Sequence, residues 1–456
     1  MNLLELPAEI IRLILSSVEG TQDLKAFCEA SKAAYEHAAP VLYQSVTLRQ
    51  DKFARGRPNT HLAALLDQSE RSYVLQYTRE LCIVSDFYRN FDDWRCWKTN
   101  EINLPLKRLS LTAFYLTSPE RLIEFFNVRR LQSLKFRTCP GWESLLRTLY
   151  YESGQSFDLK SFEFKNSLDF QGDDEEYEIS DFLNAFTGLE ELYLQVIRPN
   201  SVFPIWEAAL HHALSLRRMV FHVRTESTFG DMPYRGEEED LINLALRGAK
   251  AWERLKYYLG ALNLECLGLA CPPLKLKSLL ESYCQKGTLK VLHLRQSKLD
   301  IKRYGSWGFI RGEPESLTPE FQDLASWVFG PDGINSLQLL AFGDFICRGR
   351  LFSFNLILRR KDAPVTDGEL PYHRIDPWLE RNKSISDAVC GFLEACPSTP
   401  LMDVRFYRDS KDDKDDGGEI RHMENDEDDE DDEDYEYNED GEDSDINDND
   451  SMEIDA

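Results

Sequence analysis

The chain has 456 residues, 42% of them hydrophobic, and a formal charge of −27 at pH 7. That length fits two or three domains with a sizeable core. The charge is concentrated: from Asp409 onward about 26 acidic residues stand against 3 basic ones, leaving about −4 for residues 1–408. A body so close to neutral does not indicate a preference for nucleic acid through backbone charge, and no direct nucleic-acid contact is expected.

Leu6-Pro7-Ala8-Glu9-Ile10 opens a helix. Proline suits the first helical position, where the missing N–H has no partner to lose, and Glu9 suits the positive end of the helix dipole. The spacing predicts a helix to about Val18, with Gly20 ending it. With Ile10 at zero and ~100° per residue, Ile14, Val18, Ile11 and Leu15 fall between about 40° and 140°, and Leu13 falls at about 300°. The apolar arc is about 200° wide, where one core needs little more than about 100°. Such a helix must be covered on two sides. A second helix, predicted from Asp23 to about Glu36, carries Leu24, Phe27, Cys28, Ser31 and Tyr35 at helical spacing and can supply one cover. A further turn around Ala38–Leu42 follows, limited by Pro40. The remaining cover is the rest of the chain or another protein.

Leu6, Pro7, Glu9, Ile10, Ile14, Leu15, then Asp23-Leu24, Phe27, Ser31-Lys32 and Pro40-Val41-Leu42-Tyr43 form an ordered series. This segment resembles an F-box of the fungal type, with Ala30 where valine is usual and Tyr43 in place of a closing tryptophan. The resemblance implies a helical module at residues 1–45 that binds the Skp-type adaptor of a cullin–RING ubiquitin ligase. It assigns adaptor contacts to Leu6, Pro7, Ile10, Ile14, Leu24 and Phe27. The alternative is that these helices only cap the body.

Across residues 46–408 the pattern L-x-x-L-x-L recurs with apolar substitutions. It begins at Thr78, Leu106, Leu131, Leu159, Leu189, Leu216, Leu264, Leu289 and Ile334. Most steps are 25 to 30 residues, and two are nearly twice that. The L-x-L portion alternates with period two, so it makes a short strand with one face to bury, and only stacking of units provides the cover. Helical segments are expected at Glu120–Val128, Ile179–Phe186, Ile205–Ala213, Leu241–Leu259 and Pro273–Tyr283. Thr225–Glu239, Tyr304–Pro314 and Lys361–Pro377 read as loops. The fold class expected is α/β: a helical module, then an irregular parallel stack of strand–helix units. The body resembles the leucine-rich-repeat domains that follow many F-boxes, and a plain α/β domain is the alternative.

In such a stack the other strand residues line the concave face. They include Arg108, Ser110, Lys135, Arg137, Glu163, Lys165, Glu191, Tyr193, Arg218, His222, His293 and Arg295. The set is mixed and somewhat basic. Arg137, Lys165, Arg218, His293 and Arg295 are candidate contacts to a partner segment bearing acidic or phosphorylated groups. Residues 409–456 are low in apolar content and are expected to be disordered. They could bind basic proteins such as histones.

Motifs of catalysis are absent. There is no G-x-x-x-x-G-K-[ST], G-x-G-x-x-G after a strand, G-x-S-x-G or H-E-x-x-H. The ten cysteines form no C-x-x-C pair, and His211-His212 point about 100° apart on a helix. The chain therefore reads as non-enzymatic, without metal or cofactor, and with free thiols suited to cytoplasm or nucleus. No apolar run approaches the ~18 residues of a membrane span. The leading expectation is a substrate-recognition adaptor. The alternative is an acidic-tailed leucine-rich scaffold or chaperone for basic proteins.

Overall fold

A computed structural model of the chain divides into two units, Met1–Phe406 and Tyr407–Ala456. It describes residues 6–50, 76–90, 105–151, 157–166, 175–224, 249–310, 313–345, 354–362, 369–375 and 385–397, apart from residues 19, 117, 127, 198, 298–300 and 302–304. The acidic tail and Thr225–Glu239 lie outside the described residues.

Three helices come first: α1 (Ala8–Ser16), α2 (Thr21–Ala30) and α3 (Lys32–Leu42). Pro7 leads into α1 with extended backbone, and Glu9 lies in its first turn. The single helix expected from Asp23 to Glu36 is instead two. Ser31 is fully extended, and its hydroxyl accepts a hydrogen bond from the Ala34 N–H at 3.1 Å. A serine that can cap a new helix breaks the old one. Pro40 does not limit α3 but sits inside it. Ile11, Leu15, Leu24 and Ala38 seal the small core among the three helices.

The remainder is mixed α/β. Its main sheet holds β1 (Ser45–Gln50), β2 (Glu80–Asn90), β3 (Arg108–Tyr115), β4 (Ser133–Arg137), β5 (Ser161–Lys165), β6 (Glu191–Ile197), β7 (Arg218–Arg224), β8 (Cys266–Leu269), β9 (Val291–Leu294), β12 (Leu339–Phe342), β13 (Leu356–Arg360) and β14 (Tyr372–Ile375). They lie side by side in that order, parallel through β12 and antiparallel at β13 and β14. β10 (Phe309–Ile310) and β11 (Glu313–Leu317) form a separate hairpin. The helices between strands are α4 (Pro119–Phe126), α5 (Trp142–Tyr151), α6 (Glu175–Asn184), α7 (Phe203–His211), α8 (Ala249–Ala261), α9 (Pro273–Lys286) and α10 (Pro319–Phe329). A last helix, α11 (Asp387–Leu393), begins at Ser386, whose hydroxyl accepts from the Val389 N–H.

The motif grammar explains the register. Leu109, Leu134, Phe162, Leu192, Met219, Leu267, Leu292 and Leu340 form one cross-strand row. Leu111, Phe136, Phe164, Leu194, Phe221, Leu269, Leu294 and Phe342 form the next. Both rows are buried in one cluster with helix residues such as Phe126, Leu145, Phe182, Trp206, Leu259, Leu280 and Phe321. Each such burial contributes roughly 1.5–3 kcal/mol against chain entropy. The last motif is displaced by three residues from the expected one. Leu337-x-x-Leu340-x-Phe342 pairs with β9, whereas Leu339 faces the other way and is half-buried. Ile334, Leu337, Leu339 and Leu340 are all apolar, so both frames fit the pattern, and only pairing decides.

The sequence pattern missed α5, α10 and α11, and the segments read as loops include β10, the start of β11 and β14. The start expected for α8, Leu241, is outside the described residues.

Candidate functional site

Two surfaces concentrate the residues singled out from sequence. The first is α1. Ile11 and Leu15 are sealed, at 0% and 3% exposure, while Ile10, Leu13 and Ile14 remain open at 44%, 68% and 39%. Positions 10, 13 and 14 share one helical face, and Pro7 extends it, exposed as well. The wide apolar arc is thus half covered by the module's own core and half uncovered. Leu6 and Phe27 are half-buried against that core. Leu24 differs from its expected role: at 6% exposure it belongs to the interior, because its position on α2 faces Ile11 and Leu15. Leu13, the most open of the set, was absent from the expected contacts. Its angle of about 300° carried the signal.

The second surface is the sheet face opposite the helices. Pairing places Ser110, Lys135, Glu163, Tyr193, Val220, Gly268 and His293 in one row, and Thr112, Arg137, Lys165, Gln195 and His222 in another. The expected concave residues therefore share one face. Their exposure does not follow the expectation. Of the five candidate contacts, Arg137, Lys165, His293 and Arg295 are at most 7% exposed and Arg218 is half-buried, while Arg108 at the other end of the face is exposed.

The cover is the chain's own segment from α11 to Pro397. Phe392, Leu393, Ala395 and Cys396 form an apolar cluster with Tyr193, Val220, Val291, Ala341 and Ile357. Gly268 leaves room for the Phe392 ring beside Val220; a Cβ there would lie 2.9 Å from Val220 Cγ2. Charged side chains then hold the segment's main chain. Glu163 Oε1 accepts from the Cys396 N–H at 2.9 Å, Arg295 Nη2 donates to the Cys396 carbonyl at 2.6 Å, and Lys165 Nζ donates to the Pro397 carbonyl.

Glu163 is the hub. Arg137 donates to its Oε1 through Nε at 2.8 Å, with Nη2 also 2.8 Å from that oxygen, and Lys135 lies 3.2 Å from Oε2. Burial alone would raise this carboxyl, but Arg137 and Lys135 overcome it and hold it well below the usual range. Burial, then Arg224 and Arg137, pulls Lys165 down to about 7. Burial also lowers His293, whose Nε2 meets the Gly343 carbonyl at 2.8 Å, so the ring is neutral. Burial pushes Cys396 up to about 12, which makes it a poor nucleophile.

Beside the covering segment lies a cleft of about 570 Å³ between α11 and the β2–β7 part of the face. Ser110, Ser133 and Ser161 line it with Tyr193, α11 contributes Asp387 and Gly391, and Glu394 lines it just after the helix ends. Its cations meet carboxylates from neighbouring strands: Arg108 with Glu80 at 3.8 Å, Lys160 with Glu190 at 3.7 Å, and Arg218 with Glu191. The cleft carries both signs of charge, where a somewhat basic surface was expected. Its size is that of sites which take a ligand or a short peptide segment.

His211 and His212 do not act together on a ligand. His212 is buried with Nε2 against the Leu183 carbonyl at 3.0 Å and Nδ1 accepting from the Leu189 N–H at 3.4 Å. Among the described residues no helix is long and apolar enough to cross a membrane. No protein-family model matches the chain, and no curated protein matches it.

Proposed function

We propose that this chain is the substrate-recognition adaptor of an SCF-type cullin–RING ubiquitin ligase. In this reading α1–α3 are an F-box that holds a Skp-type adaptor and through it a cullin. The strand–helix units are irregular leucine-rich repeats stacked as a solenoid, and a target protein is held at the cleft beside α11. Other subunits perform the chemistry, and this chain contributes proximity.

One observation carries the reading: Ile10, Leu13 and Ile14 stand open on a helix whose opposite side is sealed. Three large aliphatic side chains on one short helix are what a partner subunit would cover. The consecutive parallel order of the strands supports the repeat part of the reading.

The test is recovery of a Skp-type adaptor on the purified full chain, wild type against Ile10→Glu. A carboxylate at that position would have to be buried unpaired in the interface, which costs at least ~3 kcal/mol, or about 100-fold in affinity. The expected result is loss of adaptor with unchanged thermal melting, since Ile10 is not part of the interior. Adaptor retained by the variant refutes the docking role. Recovery of histones instead, lost when residues 409–456 are removed, favours the scaffold for basic proteins.

A further inference from the structure

The two sides of the main sheet differ in kind. The rows packed against the helices are Leu, Phe and Met throughout. The side beneath α11 and Pro397 carries Glu163, Lys165, Gln195 and His293, with Arg295 just past β9. None of these five is more than 4% exposed. Charged side chains are seldom buried unless paired, and apolar packing in their place is as stable or more so. Their presence suits a face that also meets water.

The grip on the cover is equally telling. Glu163 Oε1 accepts from the Cys396 N–H at 2.9 Å, Arg295 Nη2 donates to the Cys396 carbonyl at 2.6 Å, and Lys165 Nζ donates to the Pro397 carbonyl. These are main-chain groups, which any extended peptide presents. One side chain is seated deeply: the Phe392 ring is 0% exposed, lies against Gly268, and has its centroid 6.2 Å from those of Tyr193 and His293. Cys396 itself is held at φ +48°, a left-handed backbone that residues other than glycine seldom adopt. Such strain persists where the surroundings impose it, and here the three charged side chains do so.

We propose that α11–Pro397 is an intrachain stand-in for a peptide ligand, and that the face takes in its place a segment of a target protein with an aromatic anchor followed four residues later by main chain that Glu163, Arg295 and Lys165 grip. The chain's own segment competes with the target and must lift away first. Its release also removes the α11 wall of the cleft, to which Asp387 and Gly391 belong, so that cleft and covered face become one groove. The inference rests on the reading that this side of the sheet holds a target, and it involves no adaptor.

The experiment has two parts, both on the full chain. Hydrogen exchange of wild type reads the opening. The amides of Cys390, Glu394 and Cys396 are bonded to the Ser386 and Cys390 carbonyls and to Glu163. Corrected for intrinsic rates, they are expected to exchange at least ~100-fold faster than those of β5 and β6, the mark of a local opening. Equal protection means that the segment leaves only when the sheet unfolds, and it overturns the proposal.

Fluorescence anisotropy with an N-terminally labelled peptide of residues 385–397 reads the site. Phe392→Ala loosens the chain's own segment, and this variant is expected to bind the peptide saturably, one per chain, at least ~10-fold tighter than wild type, whose face is free only in its opened fraction. The same peptide with alanine at the phenylalanine should bind ~10-fold more weakly, as should the original peptide on Phe392→Ala carrying Arg295→Gln. No saturable binding by folded Phe392→Ala overturns the proposal, as does equal binding of the two peptides. If Phe392→Ala fails to fold, the exchange measurement on wild type decides. A wild-type dimer that the peptide disperses marks a second copy as the occupant and overturns the assignment to a target. None of these measurements contains adaptor, so their failure leaves the docking test at Ile10 standing, and the reverse holds as well.

Discussion

Glu163→Gln is nearly isosteric and removes one charge from the centre of the sheet face. In wild type, Oε1 accepts from Arg137 at 2.8 Å and from the Cys396 N–H at 2.9 Å, while Lys135 lies 3.2 Å from Oε2. Glutamine keeps one acceptor oxygen but leaves the Arg137 side chain, 8% exposed, without its counter-charge. Breaking one partner of a buried pair costs about 3–5 kcal/mol. Urea unfolding of the full chain, followed by fluorescence of buried Trp142 and Trp206, should show that loss with an unchanged slope. Hydrogen exchange at the Cys396 amide should accelerate, because its acceptor has weakened. Adding Arg137→Met to Glu163→Gln should recover most of the loss, since the pair is then removed together. The pH dependence has a definite sign. Neighbouring cations hold the folded carboxyl below its ordinary 4.5, so its contribution is present above that value and fades as pH falls below it. The difference between wild type and Glu163→Gln should shrink in acid. A variant that loses less than about 1 kcal/mol at pH 7 would refute the view that this carboxylate anchors the segment.

Two further outcomes follow from single groups. Burial pulls His212 down to about 4, so the stability its neutral ring contributes is complete above 6.5 and is lost as pH falls toward 4. The loss is about 3 kcal/mol, and a urea series across that window should be flatter for His212→Gln. Ser31→Ala removes the hydroxyl that accepts the Ala34 N–H and should cost about 1 kcal/mol in thermal or urea unfolding, with unfolding beginning at the three-helix module.

The strand rows were legible because each motif had to put alternate residues into one core, and nine copies repeated the demand. Where apolar residues crowd, as from Ile334 to Leu340, the frame slipped by three, since hydrophobic period cannot choose between two equally greasy frames. On α1 the width of the arc told that a second cover was needed, but the inward position of Leu24 depended on how α2 turns against α1. The largest departure was the covered face. Nothing in Lys165 or Arg295 alone says that a segment more than 100 residues away in sequence will lie over them. The signal that existed was local to that segment: Ser386 as a helix cap, followed by Val389, Cys390, Phe392 and Leu393, an apolar stretch that required something to pack on.

The join between the three helices and the sheet has a mechanical consequence. Only Tyr43 and Gln44 separate α3 from β1, and both are tied to the next strand. The Gln44 carbonyl accepts from the Arg79 and Glu80 N–H groups at 2.9 and 3.0 Å, and Thr78 Oγ1 donates to the Tyr43 carbonyl at 3.2 Å. Such a joint works as a bracket, not a tether. The three-helix module thereby takes its bearing from the first strands of the sheet. Slack spliced between Tyr43 and Ser45 would leave each part folded and loosen only that bearing.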